Sequence, residues 1–221
     1  FRSVANVSHE LKTPIGAISL LSEAIAGAKG DPAAIEKFAE SLQKESQRLA
    51  NIVQELIQLS RVQGANLSET IEEIDLATVI ADAVDRNQTL ANRRGVKLAS
   101  TADVSVKIQG DYEMLVTAVR NLIENAIVYS EPNSQVGVGL RVVDDVAEIS
   151  VTDSGLGIPE SEQERIFERF YRVDNSRNAE TGGSGLGLAI VSQIVANHKG
   201  QISALETPGG GATFRVSLTL R

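Results

Sequence analysis

The stretch from Ile149 to Gly157, with the sequence Ile-Ser-Val-Thr-Asp-Ser-Gly-Leu-Gly, decides the fold of the second part of this 221-residue chain. Apolar and polar residues alternate through Val151, which is the pattern of a half-buried strand. Asp153 continues the buried face of that strand, where an unpaired carboxylate is costly. We therefore expect Asp153 to accept a hydrogen bond from a donor in a neighbouring cavity, and an adenine amino group is one such donor.

The residues around this stretch predict a sheet covered by helices. Apolar residues recur with a period of two in three segments and with helical spacing in three others. The predicted strands are Val136–Val142, Ile149–Val151 and Phe214–Leu218, and the predicted helices are 76–93, 111–129 and Leu186–His198. Because strands and helices do not strictly alternate, we expect residues 71–221 to form an α+β two-layer sandwich with a mixed sheet under helices.

The first part of the chain has helical periodicity throughout. The first helix is expected to begin near Val4 and to end before Gly30. Asp31 is a predicted N-cap and Pro32 the first residue of a second helix, which keeps near-heptad spacing to about Gln63. These signals predict an all-α helical hairpin.

The hairpin, residues 1–66, has apolar stripes that two helices cannot bury between them. A second copy would close a four-helix bundle, so we expect a homodimer. The segment from Gly64 to Ser68 breaks the heptad pattern and predicts a linker between the hairpin and the second domain.

Composition excludes several classes of function. The formal net charge of −8 argues against nucleic-acid binding, which requires clustered Lys and Arg. The chain has no cysteine, so disulfides and thiolate metal sites are excluded. No apolar run approaches the ~20 residues of a membrane helix, and Phe1 does not begin a signal peptide. We expect a cytoplasmic fragment of a longer protein, without membrane contact of its own.

Glycine clusters predict a phosphate-binding loop beside Asp153. The cluster from Gly182 to Gly187 leads directly into a helix, whose free N–H groups and dipole favour anions. The polar segment between Arg172 and Ser184 is typical of a mobile lid. A further cluster lies at Gly209–Gly211. Each cluster alone is explained equally well as an ordinary turn.

Two amides and an aromatic residue follow one face of the predicted helix 111–129. Asn121, Asn125 and Tyr129 are spaced at i, i+4 and i+8, which places them in one stripe. The amide oxygen of Asn125 is a ligand type that suits Mg²⁺. A solvated helix face would give the same spacing, and this alternative stays open.

His9 lies two residues from both Val7 and Leu11, so helical geometry turns it away from the apolar seam. A neutral imidazole is a nucleophile near pH 7, and Glu10 beside it is a candidate proton acceptor. Thr13 lies one turn further along the same face. A lone exposed histidine is more often an ordinary surface residue, so the pattern alone leaves both interpretations open.

The segment Ser8–Pro14 resembles the phosphoacceptor box of bacterial sensor histidine kinases. The other motifs of that family follow in the same order: the N box at Asn121–Ser130, the G1 box at Asp153–Pro159, the F box at Phe167–Arg172, the G2 box at Gly183–Leu188 and the last glycine motif at Gly209–Phe214. Together they cover nearly the whole chain.

The resemblance implies a dimerisation and phosphotransfer hairpin followed by a Bergerat-type ATP-binding domain. In that scheme the catalytic residues are His9 as nucleophile, Glu10 as general base, Thr13 in a phosphatase reaction and Arg172 at the γ-phosphate. The implied cofactors are ATP and Mg²⁺, with Asn125 as the metal ligand. The implied nucleotide-binding residues are Asn121, Asn125, Tyr129, Asp153, Gly155, Gly157, Arg169, Gly183, Gly185, Leu186, Gly187 and Thr213.

The resemblance also implies the reaction: autophosphorylation of His9, transfer to an aspartate of a response regulator, and dephosphorylation of that partner. It further implies that the chain is the intracellular part of a membrane-anchored sensor. Two alternatives remain: a clamp-type ATPase on the same nucleotide fold, and a dimeric ATP-binding scaffold without turnover. The clamp-type ATPases resemble one another in having Glu where this chain has Asn121, and an amide cannot act as a general base.

One position departs from the family pattern. Val128 stands where these kinases often carry a lysine before the pocket tyrosine, so one expected phosphate contact is missing. We expect Arg169 and Arg172 of the F box to supply most of the positive charge at the phosphates.

Overall fold

The computed structural model describes residues 2–64, 71–102, 104–173 and 183–220, and for residues 2–6 and His9 it describes the helical backbone only. The predicted linker and the predicted lid therefore lie mostly outside the described residues. Helices and strands are numbered below in chain order.

A helical hairpin forms the first part of the chain, as predicted. Helix α1 spans Arg2–Gly27 and continues through Pro14, and helix α2 spans Pro32–Gly64. Asp31 Oδ1 accepts the N–H of Ala34 at 3.0 Å, which confirms Asp31 as the N-cap.

A five-stranded mixed sheet forms the base of the second part. The seven strands are β1 (Glu72–Asp75), β2 (Lys97–Thr101), β3 (Lys107–Gly110), β4 (Gln135–Val143), β5 (Val146–Thr152), β6 (Gln201–Glu206) and β7 (Ala212–Thr219). The order in the sheet is β2-β4-β5-β7-β6, with β2 and β4 parallel and the other pairs antiparallel. Strands β1 and β3 form a separate antiparallel pair. The α+β two-layer prediction is confirmed.

Three helices pack on one face of the sheet: α3 (Leu76–Arg94), α4 (Tyr112–Tyr129) and α5 (Gly187–Asn197). Asp75 caps α3 by accepting the N–H of Ala77, and Asp111 caps α4 by accepting that of Met114. His198 follows α5 and joins it to α4, since its Nε2 accepts the N–H of Asp111 at 3.0 Å. Its Nδ1 therefore donates to the carbonyl of Ile194 at 2.8 Å.

The core lies between the sheet and these helices. Alternate strand residues face it, as in Val136, Val138 and Leu140 of β4, and all three are buried. Phe214 of β7 is fully buried in the same layer. Burial of each such side chain stabilises the fold by roughly 1.5–3 kcal/mol.

The last turns of α2 belong to this core as well. Leu59 and Val62 are buried in the cluster that contains α5. The side-chain amide of Asn197 donates to the carbonyl of Val62 at 2.8 Å. These contacts place one face of α2 beside α4 and α5, where it forms the wall of a cleft.

Candidate nucleotide site

A cavity of about 690 Å³ lies between α2, α4 and the start of α5, with the segment from Leu156 to Val173 on its remaining side. Most of the residues expected to bind a nucleotide line it. They are Asn121, Asn125, Tyr129, Asp153, Gly157, Arg172, Gly183, Gly185 and Gly187.

Asp153 is the buried acid of the cavity, at 4% exposure. Its Oδ1 accepts two backbone N–H groups, from Gly155 at 2.9 Å and from Ala212 at 3.0 Å. Burial raises the pKa of this carboxyl above its ordinary value, and these two hydrogen bonds oppose the increase. Among the described residues none bonds to Oδ2. One oxygen is thus fixed by the backbone and the other is left to accept a donor from a ligand.

The loops around Asp153 require glycine at two positions. Gly211 has a φ of +98°, and a Cβ there would lie 2.0 Å from the carbonyl oxygen of Asp153. A Cβ on Gly155 would lie 2.4 Å from the carbonyl oxygen of Tyr129. Gly211 therefore lets its loop pass close to the backbone of Asp153, and Gly155 lets the chain after Asp153 pass close to the end of α4.

The start of α5 presents backbone donors to the cavity. Leu186 is the N-cap and makes no side-chain capping bond, so the first N–H groups of the helix keep their capacity for an anion. Gly185 has a φ of +76°, and a Cβ there would lie 2.9 Å from the backbone of Phe170. This glycine therefore fixes the path of the chain from the F box into the helix.

Helix α4 supplies the stripe that its sequence predicts. Asn121 and Asn125 are half-buried at the cavity wall and Tyr129 is 40% exposed. Leu122 and Ala126, on the neighbouring face, are fully buried in the core. Over residues 2–64, 71–102, 104–173 and 183–220, no group of three or more His, Asp or Glu side chains is arranged to bind a metal ion.

Four residues expected at the nucleotide do not line the cavity: Gly155, Arg169, Leu186 and Thr213. Leu186 is fully buried in the core. The Thr213 hydroxyl is 3.0 Å from that of Thr152 and 2.9 Å from that of Thr207, on the other face of the sheet. The alternation of β7 directs Ala212 and Phe214 to the cavity instead.

The expected catalytic residues of the hairpin belong to α1. The His9 side chain is outside the described residues, Glu10 is half-buried and Thr13 is exposed. Of the described residues of α1, none lines the cavity, whereas α2 contributes Asn51, Ile52, Glu55 and Gln58.

Glu55 and Arg120 are cavity residues that the sequence patterns did not predict. Glu55 Oε2 accepts a hydrogen bond from the Ser184 hydroxyl, and that hydroxyl accepts the N–H of Leu186 at 3.0 Å. Burial raises the pKa of the Glu55 carboxyl, the hydrogen bond from Ser184 opposes the increase, and the charge of Glu124 adds to it. Pocket residues on α2 carried no signal of their own, because a Glu within a heptad pattern predicts only a solvated helix face.

Comparisons with known proteins agree with this arrangement. Residues 2–65 match the family described as "His Kinase A (phospho-acceptor) domain". Residues 110–221 match the family described as "Histidine kinase-, DNA gyrase B-, and HSP90-like ATPase". The chain belongs to the sensor histidine kinase family. Its resemblance to that family in the sequence motifs is thereby confirmed.

Named relatives and solved structures support the assignment. This histidine kinase chain is 45% identical over 215 residues to the sensor-like histidine kinase SenX3 of Mycolicibacterium smegmatis, covering 97% of this chain and 56% of that protein. It is 33% identical to the mycobacterial sensor histidine kinase MprB, with a TM-score of 0.57 over 68% of this chain and 98% of that one. Histidine kinase ThkA, solved in complex with response regulator protein TrrA, shares the fold with a TM-score of 0.79 at 22% identity, over 100% of this chain and 61% of that one.

The chain spans about half the length of the relatives it matches, at 56% and 52% of the SenX3 proteins. In the described ranges, none of the helices has both the length and the apolar character needed to cross a bilayer.

Proposed function

We propose that this histidine kinase uses ATP to phosphorylate His9 and then transfers the phosphoryl group to an aspartate of a response regulator. The proposal rests on Asp153, which is buried in the cavity. One of its carboxylate oxygens accepts two backbone N–H groups, and the other accepts no hydrogen bond from a described residue. Such an acceptor in a cavity suits the exocyclic amino group of adenine.

The cavity offers a suitable group for each part of ATP. Tyr129 would pack on the nucleoside, and the backbone N–H groups at the start of α5 would bind phosphate. Arg172, on the F-box side, would contact the γ-phosphate. Asn125, with Asn121 one turn away, would ligate Mg²⁺, which neutralises phosphate charge when bound.

The chemical step would join the γ-phosphorus to an imidazole nitrogen of His9. The bond from that phosphorus to the bridging oxygen breaks, ADP leaves, and Glu10 accepts the imidazole proton. In the second step the N–P bond breaks as a carboxylate oxygen of the response regulator forms a new O–P bond. Histidine suits this relay because its phosphoryl bond is readily transferred onward.

None of the described residues of α1 lines the cavity, so two routes to His9 are proposed. Either the ATP-binding part moves along its own hairpin, or it serves His9 of a second copy. Exposed apolar residues on the hairpin support a homodimer, since Ile15, Leu20 and Ile57 are 53%, 68% and 50% exposed. A second hairpin would cover them in a four-helix bundle.

Incubation with γ-labelled ATP and Mg²⁺ tests the proposal. The parent chain should take up label that is lost in acid and stable in base, as expected for phosphohistidine. His9→Ala should take up none, while binding ATP with parental affinity by calorimetry, because no described residue of α1 lines the cavity. Label on the variant would contradict the role of His9. Phosphate release without labelled protein would favour the clamp-type ATPase, and ATP binding without turnover would favour a scaffold.

The partner and the cellular setting complete the proposal. A response regulator would accept the phosphoryl group and could lose it again in a phosphatase reaction that uses Thr13. The chain would act in the cytoplasm as part of a longer, membrane-anchored sensor. The partner class is tested by mixing purified, labelled kinase with a response regulator. Label should move to the regulator, and it should not move when the acceptor aspartate is replaced.

A further inference from the structure

Of the two F-box arginines expected at the phosphates, only Arg172 is among the described residues that line the cavity. Of the described residues that line it, the basic ones are Arg120 and Arg172, whereas Arg169 is not among them. Val128, where the family often has lysine, lines the cavity without charge. A chain of net charge −8 must nevertheless bind a nucleotide with several negative charges. A second cation at the phosphates would add to the charge of Arg172, and Arg120 is the candidate among the described lining residues.

Arg120 lies on the same face of α4 as Val128, two turns earlier, with Glu124 between them. Its backbone carbonyl accepts the side-chain amide of Asn87 at 3.2 Å, which fixes this turn against α3. Its Nη2 donates weakly to Asn121 Oδ1 at 3.4 Å. The guanidinium therefore lies beside the amide that is expected at the phosphate end of the site.

The guanidinium of Arg120 lacks a full set of partners within the described part of the chain. Its Nε is buried and has no hydrogen-bond acceptor. None of the ion pairs formed by the described residues includes it. A buried donor on a cation is costly when unpaired, so this group is suited to an anion that enters the cavity.

We propose that Arg120 is a phosphate-binding residue of the nucleotide cavity and supplies the charge that Val128 lacks. The inference rests on the proposed function, because it takes ATP as the ligand. Guanidinium groups bind phosphate oxygens through paired N–H donors, which Arg120 can present from its position next to Asn121.

Glu55 is the competitor of the phosphates for this site. The positive charge of Arg120 lowers the pKa of the Glu55 carboxyl. The same carboxylate accepts a hydrogen bond from the Ser184 hydroxyl, just before α5. A bound phosphate would repel Glu55 and take the same two partners. Replacement of Glu55 by glutamine should therefore tighten ATP by several-fold and leave adenosine unchanged.

Calorimetry on the full chain with ATP, ADP and adenosine tests the role of Arg120. Arg120→Gln should weaken ATP about tenfold or more, ADP less, and adenosine hardly at all, because adenosine lacks phosphate. Arg120→Lys should recover part of the ATP affinity, since it restores the charge without the paired donors. Arg93→Gln removes an exposed arginine from α3 and is the matched control, with all three affinities expected to be parental.

The outcomes separate this inference from the proposed function. Equal losses for ATP and adenosine would show that Arg120 acts by packing, and unchanged ATP affinity would show that it makes no phosphate contact. Either result overturns the inference even if His9 becomes labelled. If His9 stays unlabelled while Arg120→Gln still weakens ATP selectively, the kinase proposal fails and the phosphate contact stands. If Arg120→Gln does not fold, the same comparison of three ligands is made with Arg120→Lys.

Discussion

Ser184 connects α2 to the nucleotide cavity, because its hydroxyl donates to Glu55 and accepts the N–H of Leu186. The bond joins the hairpin to the glycine-rich segment that leads into α5. The Glu55 carboxylate that accepts this bond belongs to a half-buried residue. Any change in the charge of Glu55 should therefore alter how tightly the two parts of the chain associate.

Glu55→Gln should stabilise the docked arrangement at neutral pH. Burial raises the pKa of Glu55 above the value of 4.5 that applies when the chain is unfolded. An acid with a raised pKa destabilises the folded state as the pH rises through that range, and below pH 4.5 this penalty is absent. The amide oxygen can still accept from Ser184. We expect the Tm of Glu55→Gln to lie above that of the parent at pH 8, and the gain to disappear toward pH 4.5.

The matched control for this measurement is Glu36→Gln, which changes an exposed residue of the same helix. Its Tm should follow that of the parent at every pH. A gain for Glu55→Gln that is the same at acid and alkaline pH would contradict the account, because it could not come from ionisation of the carboxyl.

Asp153→Asn should weaken ATP by at least tenfold and change the preference for the base. The amide oxygen can keep the hydrogen bonds from Gly155 and Ala212, but the amide NH₂ would then face the amino group of adenine. Guanine has a carbonyl in that place, so the ratio of ATP to GTP affinity should fall. Asp144→Asn, in the exposed turn between β4 and β5, is the control. A parental ratio in Asp153→Asn would indicate a structural role only.

Gly211→Ala should disrupt the cavity, whereas Gly183→Ala should be tolerated. At Gly211 the added Cβ would lie 2.0 Å from the Asp153 carbonyl oxygen, and the φ of +98° is strained for alanine. The strain alone costs about 1–3 kcal/mol, and the clash must also move the strand end that carries Asp153. A Cβ added at Gly183 would have no described atom within 4 Å. Denaturant unfolding and ATP titration should both separate the two variants.

The local elements of this fold follow from the sequence because their signals are local. The pair Asp31 and Pro32 marks the start of α2. The alternation through Ile149 and Val151 marks strand β5. Strands β1, β2, β3 and β6 were not predicted. Strand β6 lies at a sheet edge, where Ala204 is its one buried position. Such a strand carries no clear period of two.

The cavity residues that could be predicted are those whose sequence signal lies within a single element. Asn121, Asn125 and Tyr129 come from a single helix, and their stripe is visible in the sequence. Glu55 enters from α2 across a gap of 129 positions to Ser184, which no periodicity encodes. Thr213 was expected at the adenine from the family resemblance alone. The period of two in β7 places Thr213 on the opposite face from Phe214, so Ala212 and Phe214 face the cavity instead.

Thr13→Ala should slow dephosphorylation of the response regulator while leaving labelling of His9 intact. Thr13 is exposed on α1, one turn from His9, where a hydroxyl could orient a water toward a phosphorylated partner. The phosphatase rate should fall about tenfold or more, a loss typical of a positioned proton-transfer or orienting group. Thr78→Ala, exposed on α3, is the control. A parental rate in Thr13→Ala would remove that role from the hydroxyl.

Val128→Lys should tighten ATP more than ADP. Val128 is half-buried at the cavity wall, so a lysine there could extend its ammonium toward the phosphates. A partly exposed charge contact is worth about 1 kcal/mol, which corresponds to a several-fold gain in affinity. Val128→Met is the control, because it lengthens the side chain without adding charge. A similar gain for methionine would assign the effect to packing.

The same substitution tests whether Arg172 compensates for the missing lysine. Arg172 lines the cavity and its Nη1 donates to the Gly183 carbonyl at 2.6 Å, so it ties the F box to the glycine-rich segment. If Arg172 also supplies the phosphate contact that a lysine at position 128 would make, Arg172→Ala should weaken ATP binding more in the parent than in the Val128→Lys background. A double-mutant cycle measures this coupling directly. Additive effects would mean that the two positions act independently, and Val128 would then serve only to pack beneath the F-box segment.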